Sequence, residues 1–312
     1  MVCPACENDS VRQLFSKHGY NLVQCNKCLL AWVDPLPSEK ELDEYYNSSY
    51  QLPVPKTSML SQKWKQHIKC IEKYCTSGNI LDIGCSYGQF LAAAQERGWN
   101  AWGIELSHAA ASYARKTHNL QNISNADLRH SNLPADFFQA ITAWHVIEHD
   151  PQPASFLESA HQLLAKNGCL FLTTPNLRSL MAKVCREDWE WIVPPAHLFY
   201  FSISNLSGLL KKHGFNLVKT ITQKGDSIGL FPNLLILKTY ASYRKLLGKE
   251  ADLTDPNGVI EPHCTVNRFN RKLFRSSIKI ASLLSAPFSA LFDPLINRLN
   301  SGPELMIIAQ KK

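Results

Sequence analysis

Residues 79–91 read Asn-Ile-Leu-Asp-Ile-Gly-Cys-Ser-Tyr-Gly-Gln-Phe-Leu, and residues 100–107 read Asn-Ala-Trp-Gly-Ile-Glu-Leu-Ser. An apolar run of strand length, 80–83, ends in a Gly-rich turn. Residues 89–97 have helix-forming composition and stop at Gly98. A second short strand, 101–104, then delivers Glu105. Such a strand–turn–helix–strand unit holds a nucleotide-like ligand at the C-terminal ends of its strands. Glycine lets the backbone approach the ligand where a Cβ would clash. Glu105 stands where a carboxylate can accept two hydrogen bonds from a ribose diol. An ordinary βαβ unit whose glycines only tighten a turn has the same pattern, so the rest of the chain must decide.

The glycine spacing separates ligand classes. No Gly-x-Gly-x-x-Gly is present, and no Lys-Ser/Thr follows the turn, which argues against a dinucleotide site and a phosphate-binding P-loop. The turn is Asp82-Ile83-Gly84-Cys85-Ser86-Tyr87-Gly88. An acid ahead of it suits a ligand carrying an ammonium group. This resembles the class I S-adenosylmethionine-dependent methyltransferases, whose first motif is Asp/Glu-x-Gly-x-Gly-x-Gly. Ser86 takes the place of the middle glycine.

The resemblance implies an α/β fold: a Rossmann-like seven-stranded sheet in the order 3-2-1-4-5-7-6. It also implies roles for single residues. Asp82, Gly84, Ser86 and Gly88 would lie under the methionyl group, and Glu105 on the ribose. In Asn125-Ala126-Asp127-Leu128, Asp127 would accept the adenine amino group and the Leu128 backbone would face the ring. Asp127 also fits a turn or helix cap. Ser107 is a fitting N-cap for a helix to 118.

Residues 138–143 read as the fourth strand and end in Trp144-His145-Val146-Ile147-Glu148-His149-Asp150-Pro151. Trp144 and His145 would stand beside the methionine part of the cofactor. Gln139 replaces the Asp usual in this strand. The segment also resembles some ubiquinone-pathway O-methyltransferases, whose first position is Glu rather than His. His145-x-x-Glu148-His149 matches a metalloprotease pattern too, but that chemistry needs a continuous helix. A strand precedes it, and Asp150-Pro151-Gln152-Pro153 ends any helix within a turn. A divalent ion on His145, Glu148 and His149 is a further reading of the same residues.

A helix at 154–165 and a fifth strand at 169–173 follow, closing in Thr174-Pro175-Asn176. The Asn/Asp-Pro-Pro-Tyr/Phe of nucleic-acid and protein amino-group methyltransferases is absent. Next come Trp189, Trp191, Pro194-Pro195-Ala196-His197 and Phe199-Tyr200-Phe201-Ser202. This run resembles a Pro-x-His-x-x-Tyr-Phe-Ser segment of the same methyltransferases. It suggests an aromatic acceptor pocket with His197 as general base and His145 as the rival. A core aromatic cluster with a hydrogen-bonded histidine is the plainer reading. The deoxysugar C-methyltransferases carry Tyr-His-Glu-His here, and only the last His matches.

Ahead of this core, Cys3-x-x-Cys6 and Cys25-x-x-Cys28 are two knuckles that flank residues 7–24. Together they make a four-thiolate tetrahedral site that suits Zn²⁺ and leaves no open position, so the metal would be structural. A ribbon followed by an apolar strand, a Pro-x-Pro turn and an acidic Tyr-rich helix resembles that of bacterial small-molecule methyltransferases, including those of deoxysugar and polysaccharide biosynthesis. The expected organisation is a zinc ribbon (1–34), a helical linker (35–76), a core (77–222), a helical insertion (223–302) and a last core strand (303–312). Within the insertion, helices are expected at 231–247 and 267–299. The second is basic at its start (Arg268, Arg271, Lys272, Arg275, Lys279) and uncharged from 280 to 292. It could be a membrane-surface or dimer helix, or a cap over the cleft.

Of the 312 residues, 45% are hydrophobic and 19% charged, a globular composition. Residues 1–150 hold 13 Lys/Arg against 15 Asp/Glu, and residues 151–312 hold 20 against 11. The basic half could face an anionic substrate or headgroups. The ribbon is not basic: Arg12, Lys17 and Lys27 oppose Glu7 and Asp9 within residues 1–33. That argues against a nucleic-acid partner. With ten cysteines and no apolar leader, the expectation is a soluble, cytoplasmic protein with metal-bound and free thiols. The reading is methyl transfer from S-adenosylmethionine to a small molecule, such as a sugar-containing or cell-surface precursor. RNA methylation and a non-catalytic cofactor-fold binding protein are the alternatives.

Overall fold

The computed structural model describes residues 1–49, 57–224 and 292–312. The expected helix at 231–247, and that at 267–299 up to residue 291, lie outside the described residues; 292–298 is helical.

The strands β4 (Asn79–Ile83), β5 (Asn100–Ile104), β6 (Asn122–Ser124), β7 (Phe138–Trp144) and β8 (Leu164–Pro175) run parallel. At the far edge are β10 (Phe215–Gln223) and β11 (Glu304–Lys311). Together they form one seven-stranded sheet ordered β10-β11-β8-β7-β4-β5-β6. Renumbered by their place in the sheet, this is the expected 3-2-1-4-5-7-6. The last strand inserts antiparallel between β8 and β10. Along β4, Ile80 and Leu81 alternate faces, as period two requires, and enter two different apolar clusters. After a first helix, α1 (Glu39–Ser49), one face of the sheet is covered by α5 (Pro153–Leu163) and α7 (Ile203–Lys212), and the other by α2 (Thr57–Ile71), α3 (Gln89–Glu96) and α4 (His108–His118). Each fully buried Leu, Ile or Phe in these layers contributes roughly 1.5–3 kcal/mol.

Two boundaries differ from the sequence expectation. The helix expected to reach residue 165 ends at Leu163, because Leu164 already pairs with Phe138 in the sheet. The fifth strand therefore begins at Leu164 rather than at Cys169 and runs on to Pro175. A short helix, α6 (Leu180–Cys185), was not anticipated; Ser179 caps it, accepting from the Ala182 amide at 3.0 Å.

The N-terminal knuckles sit on a second sheet: β1 (Val11–Lys17), β2 (Tyr20–Cys25) and β3 (Ala31–Val33). Its fourth strand comes from elsewhere in the chain. β9 (Phe199–Tyr200) pairs antiparallel with β3, with Trp32 opposite Phe199 and Ala31 opposite Tyr200. Apolar packing continues through this seam: Cys25, Leu30 and Trp32 share a cluster with Phe199, Phe201 and Leu206.

Candidate functional site

At the C-terminal end of β4 the chain turns through three left-handed residues, Gly84 (φ 70°), Ser86 (φ 48°) and Gly88 (φ 79°). A Cβ on Gly84 would lie 2.8 Å from Val146 Cγ2, and one on Gly88 would lie 2.8 Å from the Ala114 Cβ. Glycine is thus required here by packing against protein as well as by backbone sign. Ser86 accepts the strain that the middle glycine would avoid.

Glu105 closes the turn from β5. One carboxylate oxygen accepts the Ser86 amide and the other the Ser107 amide, both at 2.8 Å. Burial pushes its pKa up, and those amides oppose the rise. Ser107 caps α4 as expected, accepting from the Ala110 amide at 3.3 Å. Asp82 is buried and accepts the Thr142 hydroxyl at 2.6 Å. Burial first, then the nearby Glu105 charge, raises its pKa to about 8 despite that bond.

Asp127 does serve as a cap, accepting the Arg129 amide at 2.8 Å. Both its oxygens also accept from the Arg129 guanidinium, which reaches on to Asp150 at 2.9 Å. Leu128 is buried beneath, while Leu106, which sequence reading passed over, is 68% exposed beside Glu105. Trp144 ends β7 against Phe90 and His67, with ring centroids 5.5 and 4.6 Å apart.

A second group of polar residues gathers at the ends of β7 and β11. Residues 145–149 are not helical, so the metalloprotease geometry is absent. His145 adopts φ 55° and lies between two buried carboxylates. Nδ1 is 3.2 Å from Glu148 Oε1, and Nε2 is 2.7 Å from Glu304 Oε2. Burial alone would lower its pKa, but these two bonds raise it to about 10. His145 is therefore an imidazolium with both nitrogens donating, which leaves no lone pair for a base. Glu304, at the start of the last strand, also accepts from Gln223. Glu148 is held ionised near pKa 2, because the His145 bond and charge outweigh burial.

His197 is 5% exposed. Its Nδ1 is 2.8 Å from the Trp191 carbonyl, and Nδ1 of His149 is 2.7 Å from the Ala196 carbonyl. Burial, with His149 beside it, lowers the His197 pKa to about 3. The ring is neutral at physiological pH, donates from Nδ1 and keeps its lone pair on Nε2. The Trp191 ring stacks between His145 (5.1 Å, 3°) and His197 (5.8 Å, 11°).

The other aromatics of this loop turn largely to the ribbon and the core, although the Tyr200 ring also lies 6.3 Å from that of His197. Trp189 and Tyr200 are 1% exposed and pack with Leu22, Ala31 and Val33 of the ribbon. Phe199 packs on the core cluster. The plainer reading holds for these residues, because the seam between ribbon and core takes their surface.

The four ribbon thiols converge. Cys3 Sγ lies 3.5 Å from Cys28 Sγ, and Cys6 Sγ lies 3.6 Å from Cys25 Sγ. All four sulfurs fall within 4.8 Å of one another. A tetrahedral ion with bonds of about 2.3 Å needs sulfurs about 3.8 Å apart. The residues that follow the two knuckles, Glu7 (φ 60°) and Leu29 (φ 62°), are both left-handed. The Lys27 and Cys28 amides point at Cys25 Sγ, at 3.3 and 3.4 Å. The donor set fits zinc.

Comparison with known proteins gives a consistent picture. A family model described as a methyltransferase domain matches residues 59–220. A ubiquinone biosynthesis O-methyltransferase of Pseudomonas aeruginosa is 34% identical over 104 residues, covering 31% of this chain and 44% of that protein. The mitochondrial ubiquinone biosynthesis O-methyltransferase of Schizosaccharomyces pombe is 33% identical over 159 residues, covering 46% and 57%. The chain thus spans about half the length of the curated relatives it matches. A solved SAM-dependent methyltransferase from Archaeoglobus fulgidus is similar in fold, with a TM-score of 0.50 and 18% identity, over 88% of this chain and all of that one.

Proposed function

The chain belongs to the methyltransferase-domain family, and from that premise we propose that it methylates a hydroxyl of a small molecule with S-adenosylmethionine. The observation that carries this reading is the left-handed turn at 84–88 fastened to both oxygens of Glu105. When bound, S-adenosylmethionine supplies a sulfonium methyl that passes in line to the acceptor oxygen as the carbon–sulfur bond breaks and the hydroxyl proton is lost. Glu105 would orient the ribose diol. Asp82 would face the ammonium end, and Asp127 with the Leu128 backbone the adenine. Trp144 and, from α2, Trp64, whose ring lies 6.2 Å from it, would wall the methionine side. Most of the rate would come from positioning.

The acceptor would enter between Trp144 and the 191–197 loop. Its proton would pass toward Glu148, His149 and His197. Of the two histidines proposed as base, His197 alone keeps a free lone pair, and its low pKa makes it a proton relay rather than a strong base. The four cysteines would hold a structural zinc. The relatives' names favour a hydroxyl acceptor, and the ribbon resemblance favours a sugar-containing or cell-surface one.

Titration calorimetry with S-adenosylhomocysteine tests the cofactor half. Glu105→Ala is expected to weaken binding at least about tenfold, equivalent to about 1.4 kcal/mol. Unchanged affinity, or preference for NAD, overturns the reading. Transfer of labelled methyl in a cell extract tests the acceptor: label in RNA or protein rather than in small molecules overturns that part.

A further inference from the structure

We propose that Glu304 is a positioning residue for methyl transfer: acting through His145 and Trp191, it holds His197 in place on the acceptor side of the site. The inference rests on the methyl-transfer reading and assigns to it a residue that no motif marks.

Glu304 opens an otherwise apolar stretch of strand. In β11 the residues that follow it, Leu305 to Ala309, are all buried and uncharged, and Glu304 itself is 3% exposed. Because β11 runs antiparallel to β8, its first residue lies opposite Pro175, at the C-terminal end of the parallel strands where ligands bind. Both carboxylate oxygens are committed there. Oε1 accepts from Gln223, and Oε2 accepts from Nε2 of His145 at 2.7 Å. A buried ion pair is often no more stabilising than apolar residues of the same volume. Stability alone therefore does not account for a carboxylate at this place, whereas the group it holds does.

That group is a strained histidine. His145 is left-handed, at φ 55°, and its amide is 3.1 Å from the Thr173 carbonyl and 3.2 Å from Thr173 Oγ1. Such a conformation persists only where the surroundings over-determine it. Two carboxylates do so for the ring, since Glu148 takes Nδ1 at 3.2 Å. With both nitrogens donating, His145 is also removed from the divalent-ion reading of residues 145–149. Its plane lies 3° from that of Trp191, with centroids 5.1 Å apart. An imidazolium against an indole face is a cation–π contact, so the charge that Glu304 secures also anchors Trp191. The Trp191 carbonyl in turn accepts the Nδ1–H of His197 at 2.8 Å. That bond selects the tautomer with its lone pair on Nε2. The Glu148 carbonyl accepts the amides of Leu198 (2.8 Å) and Phe199 (3.0 Å), which pins the same loop from its other side.

The test uses the full-length protein with ¹⁵N-labelled histidines. In the wild type, proton magnetic resonance should show two far-downfield exchangeable imidazolium N–H signals that vanish in His145→Asn, and His197 should appear as a single Nδ1–H tautomer. Glu304→Gln keeps the shape and removes the charge. It should displace the Nε2–H signal of His145 and bring His197 into exchange between its two tautomers. It should also lower transfer of labelled methyl to small molecules in a cell extract at least about tenfold, with S-adenosylhomocysteine affinity held within about threefold. In a His145→Asn background the same change should cost less than about twofold, because Glu304 acts through that ring. Gln223→Leu, which only loosens Glu304, should give a smaller loss of the same kind and serves where Glu304→Gln does not fold. Absence of the two downfield signals, an unaltered His197 spectrum in Glu304→Gln, or equal losses with and without His145 overturns the proposal. A wild type that labels no small molecule overturns the methyl-transfer reading instead, and the resonance outcomes still decide whether Glu304 holds His197.

Discussion

The two halves of the candidate site are built in opposite ways. The cofactor half is local: Asp82, Gly84, Ser86, Gly88, Glu105 and Ser107 lie in one short stretch of chain and are joined by backbone amides. The acceptor half is assembled from afar. Glu148 meets His145 beside it, His197 from a later loop and, through His145, Glu304 from the last strand. The loop bearing His197 is in turn a strand of the ribbon sheet. A local half can be set by one strand–turn–helix unit, whereas a distributed half requires that several elements be docked first. The consequence is that damage to the ribbon should reach the acceptor half and spare the cofactor half.

The largest effect expected is that of Cys25→Ser. Loss of one thiolate should release the proposed structural zinc, whose binding in comparable small sites is worth about 10–16 kcal/mol. Turnover should fall by about 100-fold or more, while S-adenosylhomocysteine affinity changes less than about threefold, because the ribbon is strapped to the 191–201 loop and to α7. A parallel fall in both would show that the halves are not separable. Next is Trp189→Ala. It empties a fully buried site between ribbon and loop and should cost about 3–5 kcal/mol in denaturant unfolding. A cost below about 1 kcal/mol would mean that the seam is not a packed core.

The third expectation concerns the cofactor half alone. Asp82 has its pKa raised to about 8 by burial, so below that pH it must shed a proton to meet a ligand ammonium. Affinity for S-adenosylhomocysteine should therefore rise with pH from 6 toward 8, by up to about tenfold per unit, and Asp82→Asn should flatten the profile. The same group affects the free protein with the opposite sign. A carboxyl whose folded pKa is raised binds more protons when folded, so its contribution to stability declines as pH rises from about 4 to about 8. The smallest effect is that of Ser86→Gly. Relief of the left-handed backbone at φ 48° favours the variant by about 1–2 kcal/mol, and the greater freedom of unfolded glycine returns about 0.5–1 kcal/mol. A slight rise in melting temperature is expected, and a clear fall would show that the hydroxyl matters more than the backbone.

What sequence reading reached follows the same division. The Gly-rich turn, the acid after the second strand, the Ser107 cap and the paired knuckles are short-range patterns, each with a local physical cause, and each lies where it was expected. The strand order was legible because the parallel units repeat and the last apolar run closes the chain. The partners of His145 were not legible, since nothing in residues 145–149 marks Glu304 as the carboxylate that completes them. The sequence showed His197 and Glu148 as separate motif residues. That they meet depends on the Glu148 carbonyl binding two amides of the loop, which is tertiary information. The aromatic run at 189–201 was read as a pocket because its composition suits one. Trp189 and Tyr200 instead face the ribbon, a surface that only the β3–β9 pairing reveals.

That pairing has a practical meaning for anyone who would trim this protein to a minimal enzyme. Removing residues 1–34 would strip a partner from β9 and bare Trp189, Ile192, Tyr200 and Met181, which now share one cluster with ribbon residues. A naked strand edge beside a wet aromatic patch is a template for self-association. The shortened chain would precipitate or pair with its own copies, and its solubility could be recovered by supplying the ribbon as a separate peptide.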